Sequence, residues 1–136
     1  MFDKIISIIL FIVGVINLLP VIVFFSPTQT ARLYGVPIDG ENLIILMRHR
    51  AVLLGLIGSA LIFGAVKSEA RFPAIAAALT SKLAFIFLVW TSVTFTPEIR
   101  QVALIDVAAI VLLIAVLIIH FWWKWKTNYY LIVLII

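Results

Sequence analysis

Residues 47–55 read Met-Arg-His-Arg-Ala-Val-Leu-Leu-Gly and place three basic-type side chains inside a segment that otherwise has the composition of a membrane helix. A charged side chain near the centre of a bilayer costs at least about 2.5 kcal/mol unless it is paired or hydrated. The arrangement of the rest of the chain therefore depends on where Arg48, His49 and Arg50 find their partners.

The composition indicates an integral membrane protein. Of 136 residues, 65% are hydrophobic and only 12% are charged, and the mean hydropathy is +1.30; ordinary globular domains are about 45–50% apolar and about 25% charged. The chain lacks cysteine, which excludes disulfides, thiolate metal sites and thiol redox chemistry. Its net charge of +4 fits contact with anionic lipid and orientation in a bilayer better than nucleic-acid binding.

We predict an all-α fold: a single transmembrane domain over residues 1–136, built as a four-helix bundle with a short interfacial helix between the first two spans. The predicted spans cover residues 2–25, 41–66, 73–95 and 97–121, and an interfacial tail covers 122–136. The apolar end of that tail is too short to cross a bilayer, since a crossing takes about 20 residues.

The first connection predicts a surface helix. Pro20 should kink the first span near its far end, because proline removes a backbone donor. Ser26 suits an N-cap, Pro27 the first helical position, and Gly35 the left-handed position after a helix. The short helix between them is either a plain connector or a lid over a pocket.

Cap and anchor residues mark the later helix ends. Asp39 is a candidate cap for the second span, and Thr96 followed by Pro97 predicts the start of the fourth. Residues 120–126, which are rich in tryptophan and lysine, are typical of an anchor at headgroup level.

One face of the second span is predicted to pack closely against a neighbour. Ala51, Gly55 and Ser59 recur four residues apart, and small side chains at this spacing let another helix approach; Gly58 and Gly64 widen that possibility. We interpret this face as a packing surface rather than a ligand contact.

Basic residues divide unequally between the two sides. One side carries Lys4, Lys67, Arg71, Lys124 and Lys126; the other carries Arg32 and Arg100. By the positive-inside rule both termini are cytoplasmic, in what we expect to be a bacterial inner membrane.

Four polar side chains are expected at a similar depth. At a rise of about 1.5 Å per residue, Asn17, Arg50 and Asp106 lie about 12–15 Å from the non-cytoplasmic ends of their helices, and Lys82 lies about 20 Å deep. We expect Asp106 to pair with Arg50 through a two-pronged contact, with Asn17 bonded to either partner. Lys82 is left without an obvious acid, although snorkelling or pairing with Asp106 stays open.

These groups predict a pocket that leans positive and suits a lipophilic molecule with an anionic or carbonyl end. Arg48 and Arg50 lie about 200° apart around the helix and cannot face the same way, and Arg48 is close enough to the helix end to snorkel. The candidate ligand-binding residues are Asn17, Arg48, His49, Arg50, Lys82 and Asp106. No metal site is predicted, no cofactor is identified, and His49 is a weak haem ligand because it lacks a second axial candidate.

Four features of the chain are found together in a known family: four spans, the segment from Leu33 to Gly35, the pattern from Arg50 to Leu56 and Asp106 early in the fourth span. In these features the chain resembles the DoxX-like superfamily of small four-helix bacterial membrane proteins. The resemblance implies a four-helix membrane bundle and, in the name-giving branch, a small subunit associated with quinone-linked sulfur oxidation. That chemistry is not carried over, because many members have no known activity.

The favoured function is binding of a lipophilic ligand or service as a subunit of a larger membrane complex, with a homo-oligomer as a further possibility. The first alternative is a membrane-embedded isomerase or quinone-linked oxidoreductase, in which Lys82 or Asp106 moves a proton and Arg50 holds an oxygen. The second is a small-molecule transporter, which would need a water path to both sides.

Overall fold

The computed structural model describes residues 2–135, and for residues 23, 27, 123, 124 and 126–135 it describes the backbone alone. The described chain is helical and contains no strand. Six α-helices follow one another: α1 (Phe2–Leu18), α2 (Ile22–Phe25), α3 (Pro27–Tyr34), α4 (Glu41–Val66), α5 (Arg71–Thr91) and α6 (Pro97–Ile135). Two 3-10 turns lie at Leu19–Val21 and Ser68–Ala70.

Four segments are long and apolar enough to cross a membrane. They are Phe2–Val21, Glu41–Val66, Ser68–Thr91 and Pro97–Trp122. The predicted all-α class is therefore confirmed. The second span has the predicted bounds, whereas α5 begins two residues earlier and ends four residues earlier than predicted. Pro73 fits inside α5 because the first-turn amides of a helix have no intrahelical partner.

Pro20 interrupts the first span as predicted. The α-helical hydrogen bonding gives way to a 3-10 turn at Leu19–Val21 before α2 resumes. The predicted caps of α3 are also present: the Ser26 hydroxyl accepts from the Gln29 amide at 3.4 Å, and Gly35 adopts the left-handed conformation with φ 63°. These turns fold α3 back against the bundle.

Two predicted helix ends are wrong. The residue before α4 is Gly40, which supplies no side-chain cap, so Asp39 does not cap this helix. The fourth helix does not end at Phe121 but continues to Ile135. No glycine or proline occurs after Pro97 to stop it, and 39 residues at about 1.5 Å each give a rod far longer than a bilayer is thick. The side-chain placement of the predicted tail anchor lies largely outside the described residues.

Glycines bring α1 and α4 together. A Cβ atom on Gly58 would lie 2.7 Å from the Gly14 carbonyl oxygen, and one on Gly14 would lie 2.9 Å from the Gly58 carbonyl oxygen. The predicted small-residue face is present in part: Ala51 and Gly55 are buried, whereas Ser59 is exposed. The close approach therefore rests on Gly58, which was predicted as an additional small residue, and not on Ser59.

Buried aliphatic side chains fill one half of the bundle. α1 contacts α4 and α6, and α5 contacts α4 and α6, so the four long helices form a ring. The filled half, which we call the core half, contains the start of α1, the end of α4, the start of α5 and the middle of α6. Its buried residues are Ile6, Leu10, Val13, Leu61, Ala65, Ala74, Ile75, Ala78, Ala109, Leu113 and Val116. The opposite half, next to α3, holds a cavity, and we call it the cavity half.

Candidate functional site

A cavity of about 450 Å³ lies between the helices in the cavity half. Most of its wall is aliphatic, and the side chains of α1, α3, α4, α5 and α6 all contribute. Its polar lining residues are Asn17, Tyr34, Arg50, Ser81, Lys82 and Asp106. Four of the six predicted ligand-binding residues are thus brought together on one cavity.

Lys82 and Asp106 form an ion pair across the contact between α5 and α6. The ammonium donates to Asp106 Oδ1, and the two side chains are 5% and 16% exposed. The expected pairing of Asp106 with Arg50 is therefore wrong. Asp106 sits on the helix that packs directly against α5, and the long lysine stem reaches it there, as the open alternative allowed.

Arg50 is bounded by aromatic rings instead of by an acid. Its guanidinium carbon lies 4.9 Å from the ring centroid of Tyr34 and 4.9 Å from that of Phe85. Within the described part of the chain no carboxylate lies within ion-pair distance of it. Arginine suits such a place because its delocalised, weakly hydrated cation stacks on aromatic faces.

Asn17 is buried and bonds within its own helix. Its amide donates to the Val13 carbonyl oxygen at 2.8 Å. It therefore does not bridge Arg50 and Asp106 as expected. This bond uses one amide proton, and the side-chain carbonyl remains as an acceptor at the cavity wall.

Arg48 and His49 are not brought to the cavity. Both are exposed, and neither lines it. The Arg48 guanidinium lies 6.0 Å from the ring centroid of Phe24. Arg48 and Arg50 lie on nearly opposite faces of α4, so when Arg50 faces the cavity Arg48 faces away from it. Only one of the two predicted ligand contacts is therefore possible. Among the described residues, no cluster of three metal-ligating side chains occurs.

Tyr34 is a cavity residue that the sequence reasoning missed. It is only 5% exposed, and its carbonyl accepts from the Thr96 hydroxyl at 2.7 Å. That hydroxyl also accepts from the Ile99 amide at 3.2 Å, which confirms Thr96 as the cap of α6. One threonine thus fixes the end of α3 to the start of α6.

Burial sets the chemistry of the Tyr34 hydroxyl. It raises the pKa of the phenol above its usual value; Arg50 opposes this shift, and Asp106 adds to it. The hydroxyl therefore stays protonated at neutral pH and remains a hydrogen-bond donor. Because Leu33 and Tyr34 both line the cavity, α3 covers its end, as the lid interpretation of this segment allowed.

A second polar cluster lies at the far end of the core half. Arg71 is 4% exposed and donates to the Gly64 carbonyl at 3.1 Å, to Ser7 Oγ at 3.2 Å and to Asp3 Oδ1 at 2.5 Å. The Ser7 hydroxyl in turn donates to the Ala65 carbonyl at 2.6 Å. Arg71 and Ser7 thus satisfy carbonyls that the last turn of α4 leaves unpaired, and they tie α4 and α5 to α1.

Comparisons of the chain with protein-family models, with curated proteins and with solved structures found no match. The resemblance to the DoxX-like superfamily therefore stays a prediction. What the chain can do chemically rests on the cavity itself, which offers two cations, one anion and a phenol within an aliphatic wall.

Proposed function

We propose that this chain is an integral membrane four-helix bundle that binds a lipophilic molecule, with the polar end of that molecule among Arg50, Tyr34 and Lys82. The observation that carries the proposal is the cavity of about 450 Å³. Small-molecule sites typically measure about 300–1,000 Å³ and combine apolar walls with a few convergent polar groups.

The charges of the site favour a ligand that accepts hydrogen bonds. Arg50 and Lys82 contribute two positive charges and Asp106 one negative charge, which leaves one excess positive charge. A carbonyl or an anionic group at the polar end of the ligand complements that balance.

We base a proposed location on the composition of the long helices and on the distribution of basic residues. Four helices have the length and the apolar character of membrane spans. We propose that they lie in a bacterial inner membrane with both termini cytoplasmic, because Lys67 lies in the turn between α4 and α5 and Arg71 is the first residue of α5. In this orientation the cavity half lies toward the outer leaflet and the core half toward the cytoplasm.

The buried ion pair gives a specific reason to keep an enzyme as the second candidate. Lys82 and Asp106 share a hydrogen bond on the cavity wall, so a proton donor and a proton acceptor stand beside any bound molecule. A membrane isomerase or a quinone-linked oxidoreductase would use them. The filled core half weighs against transport, because that function needs a path to both sides.

Mass spectrometry of the purified protein under native conditions tests the proposal. We expect a lipophilic molecule to remain bound to the wild type and to be lost from Leu54→Trp, which fills the cavity that Leu54 lines. Leu56→Trp is the matched control, because Leu56 is exposed on the same helix and lies outside the cavity. Equal retention by both variants, or no retained molecule in the wild type, would overturn the proposal.

A further inference from the structure

Arg50 determines the net charge of the cavity. Lys82 and Asp106 form a hydrogen-bonded pair, and a proton shift between them leaves the net charge of the pair at zero. Arg50 lines the same cavity but has no carboxylate partner in the described part of the chain. Its charge of +1 is therefore the uncompensated charge of the site.

The aromatic partners of Arg50 leave its donors unused. Tyr34 and Phe85 attract the guanidinium through their ring faces, but a ring face is at most a weak hydrogen-bond acceptor. The planar fork of five N–H groups matches a carboxylate, which it binds through two parallel hydrogen bonds.

The Tyr34 hydroxyl is a second available donor. It makes no hydrogen bond with a described residue, and no fully enclosed polar side-chain atom in the described residues lacks a partner. Its oxygen therefore borders open space, and Tyr34 lines the cavity. A group held by Arg50 could thus accept a hydrogen bond from the adjacent phenol as well.

The cavity communicates with the outer apolar surface of the bundle. Leu19, Leu53, Leu88 and Ile105 all line it, yet they are 59%, 46%, 61% and 50% exposed. Its end, by contrast, is covered by α3 through the buried Tyr34. A lipophilic molecule could therefore enter between the helices, from the apolar surface that would face hydrocarbon in a membrane.

We propose that the cavity binds a membrane-dissolved long-chain carboxylic acid as its anion, with the carboxylate on Arg50 and the hydrocarbon chain extending between the helices toward the exposed apolar lining residues. This inference rests on the proposed function and narrows it from any polar-ended lipophile to one class. A single negative charge matches the single uncompensated cation, whereas a second negative charge would stay unpaired in an apolar site.

A peripheral groove supplies the competing explanation for any anionic lipid that binds. It measures about 310 Å³, lies between α5 and α6, and has Arg100, Trp90 and Phe95 among its lining residues. Because Arg100 is exposed, a lipid held there would keep its head in the headgroup layer. The experiment must therefore separate Arg50 from Arg100.

Binding of oleate and of oleyl alcohol to the protein in phosphatidylcholine nanodiscs tests the inference, with protein-free nanodiscs as the blank. The two probes share a hydrocarbon chain and differ in the charge of the head. We expect the wild type to bind oleate roughly 10–100-fold more tightly than the alcohol, because that is the gain in affinity that a charge-assisted hydrogen bond provides. Arg50→Gln should abolish that preference.

Two matched variants test whether the preference for oleate depends on Arg50 or on another arginine. Arg48→Gln removes an exposed cation two residues away, Arg100→Gln removes the cation of the peripheral groove, and both should keep the preference for oleate. Equal binding of oleate and alcohol to the wild type, or loss of the preference in Arg100→Gln, would overturn the inference while leaving the proposed function standing. Failure of both probes to bind would count against the proposed function itself.

A measurement on the wild type keeps the test decisive if Arg50→Gln does not fold. The carboxyl carbon of ¹³C-labelled oleate reports its own ionisation by NMR. Bound beside Arg50, the carboxyl should stay ionised to a lower pH than in protein-free nanodiscs, because a nearby cation stabilises the anion. A bound carboxyl that titrates like the free one would contradict the inference.

Discussion

Lys82 donates a hydrogen bond to Asp106 and thereby joins α5 to α6 through two charges that are largely removed from solvent. This pairing takes the acid away from Arg50. Arg50, which was predicted to pair with Asp106, therefore has no carboxylate partner among the described residues. Lys82, for which no acid was obvious in the sequence, is the residue that pairs with Asp106.

Removing one member of this pair should destabilise the bundle strongly. Asp106→Asn leaves the Lys82 ammonium buried without its counter-ion, and breaking a buried pair costs about 3–5 kcal/mol. The double variant Lys82→Met with Asp106→Leu should recover much of that loss, because neither charge then remains. Unfolding in a denaturing-detergent titration measures both, with Asp39→Asn as an exposed control. A double variant no more stable than Asp106→Asn would contradict this account.

The α1–α4 contact should not tolerate a methyl group at Gly58. In Gly58→Ala the new Cβ would lie 2.7 Å from the Gly14 carbonyl oxygen, and backbone cannot swing aside as a flexible side chain does. We expect a loss of about 1–3 kcal/mol, the usual cost of overpacking. Ser59→Ala, at the exposed neighbouring position, should change the unfolding free energy little. Equal effects of the two substitutions would show that the helices are not in close contact at Gly58.

Arg71 should matter more for stability than the acid it pairs with. Arg71→Gln removes the charge-assisted bond to the Gly64 carbonyl, and such bonds contribute about 1.5–3 kcal/mol each. The Asp3 side chain is 78% exposed, so Asp3→Asn should cost about 0–1 kcal/mol, as exposed ion pairs do. The same detergent titration compares the two. A larger effect of Asp3→Asn would reverse our assignment of Arg71 as a cap of α4.

Labelling of single cysteines tests the proposed orientation, since the native chain contains none. Glu69→Cys lies in the exposed turn between α4 and α5, and Val93→Cys lies in the exposed turn between α5 and α6. In spheroplasts a membrane-impermeant maleimide should modify the cysteine at 93 directly and the one at 69 only after lysis. The opposite pattern would invert the topology and place the cavity half toward the cytoplasm.

Local signals in the sequence were enough to predict the order of the long helices and several of their ends. Pro20, Ser26, Gly35 and Thr96 act on their immediate neighbours, and each one has the predicted effect. Asp39 failed because Gly40 takes the capping position. The predicted end of α6 at Phe121 was wrong because no residue there opposes continuation of the helix. A composition typical of the membrane interface therefore does not by itself mark a helix end.

Partner choice within the site could not be predicted from depth alone. Depth along a helix places Arg50, Lys82 and Asp106 at similar levels, but pairing depends on which helices are neighbours and on how each is rotated about its axis. The contributions of Tyr34 and Phe85 were missed for the same reason. Neither side chain carries a charge to draw attention, and Tyr34 reaches the cavity only because α3 folds back over it.

The uneven filling of the bundle has a further consequence. One end is filled by the chain's own side chains, whereas the other contains a cavity of about 450 Å³. Any occupant adds its free energy of association to the native state alone, by mass action. The melting temperature of a preparation would therefore depend on the fraction of the protein that retains a bound molecule. Two batches that differ in this fraction would differ in melting temperature without any change in sequence.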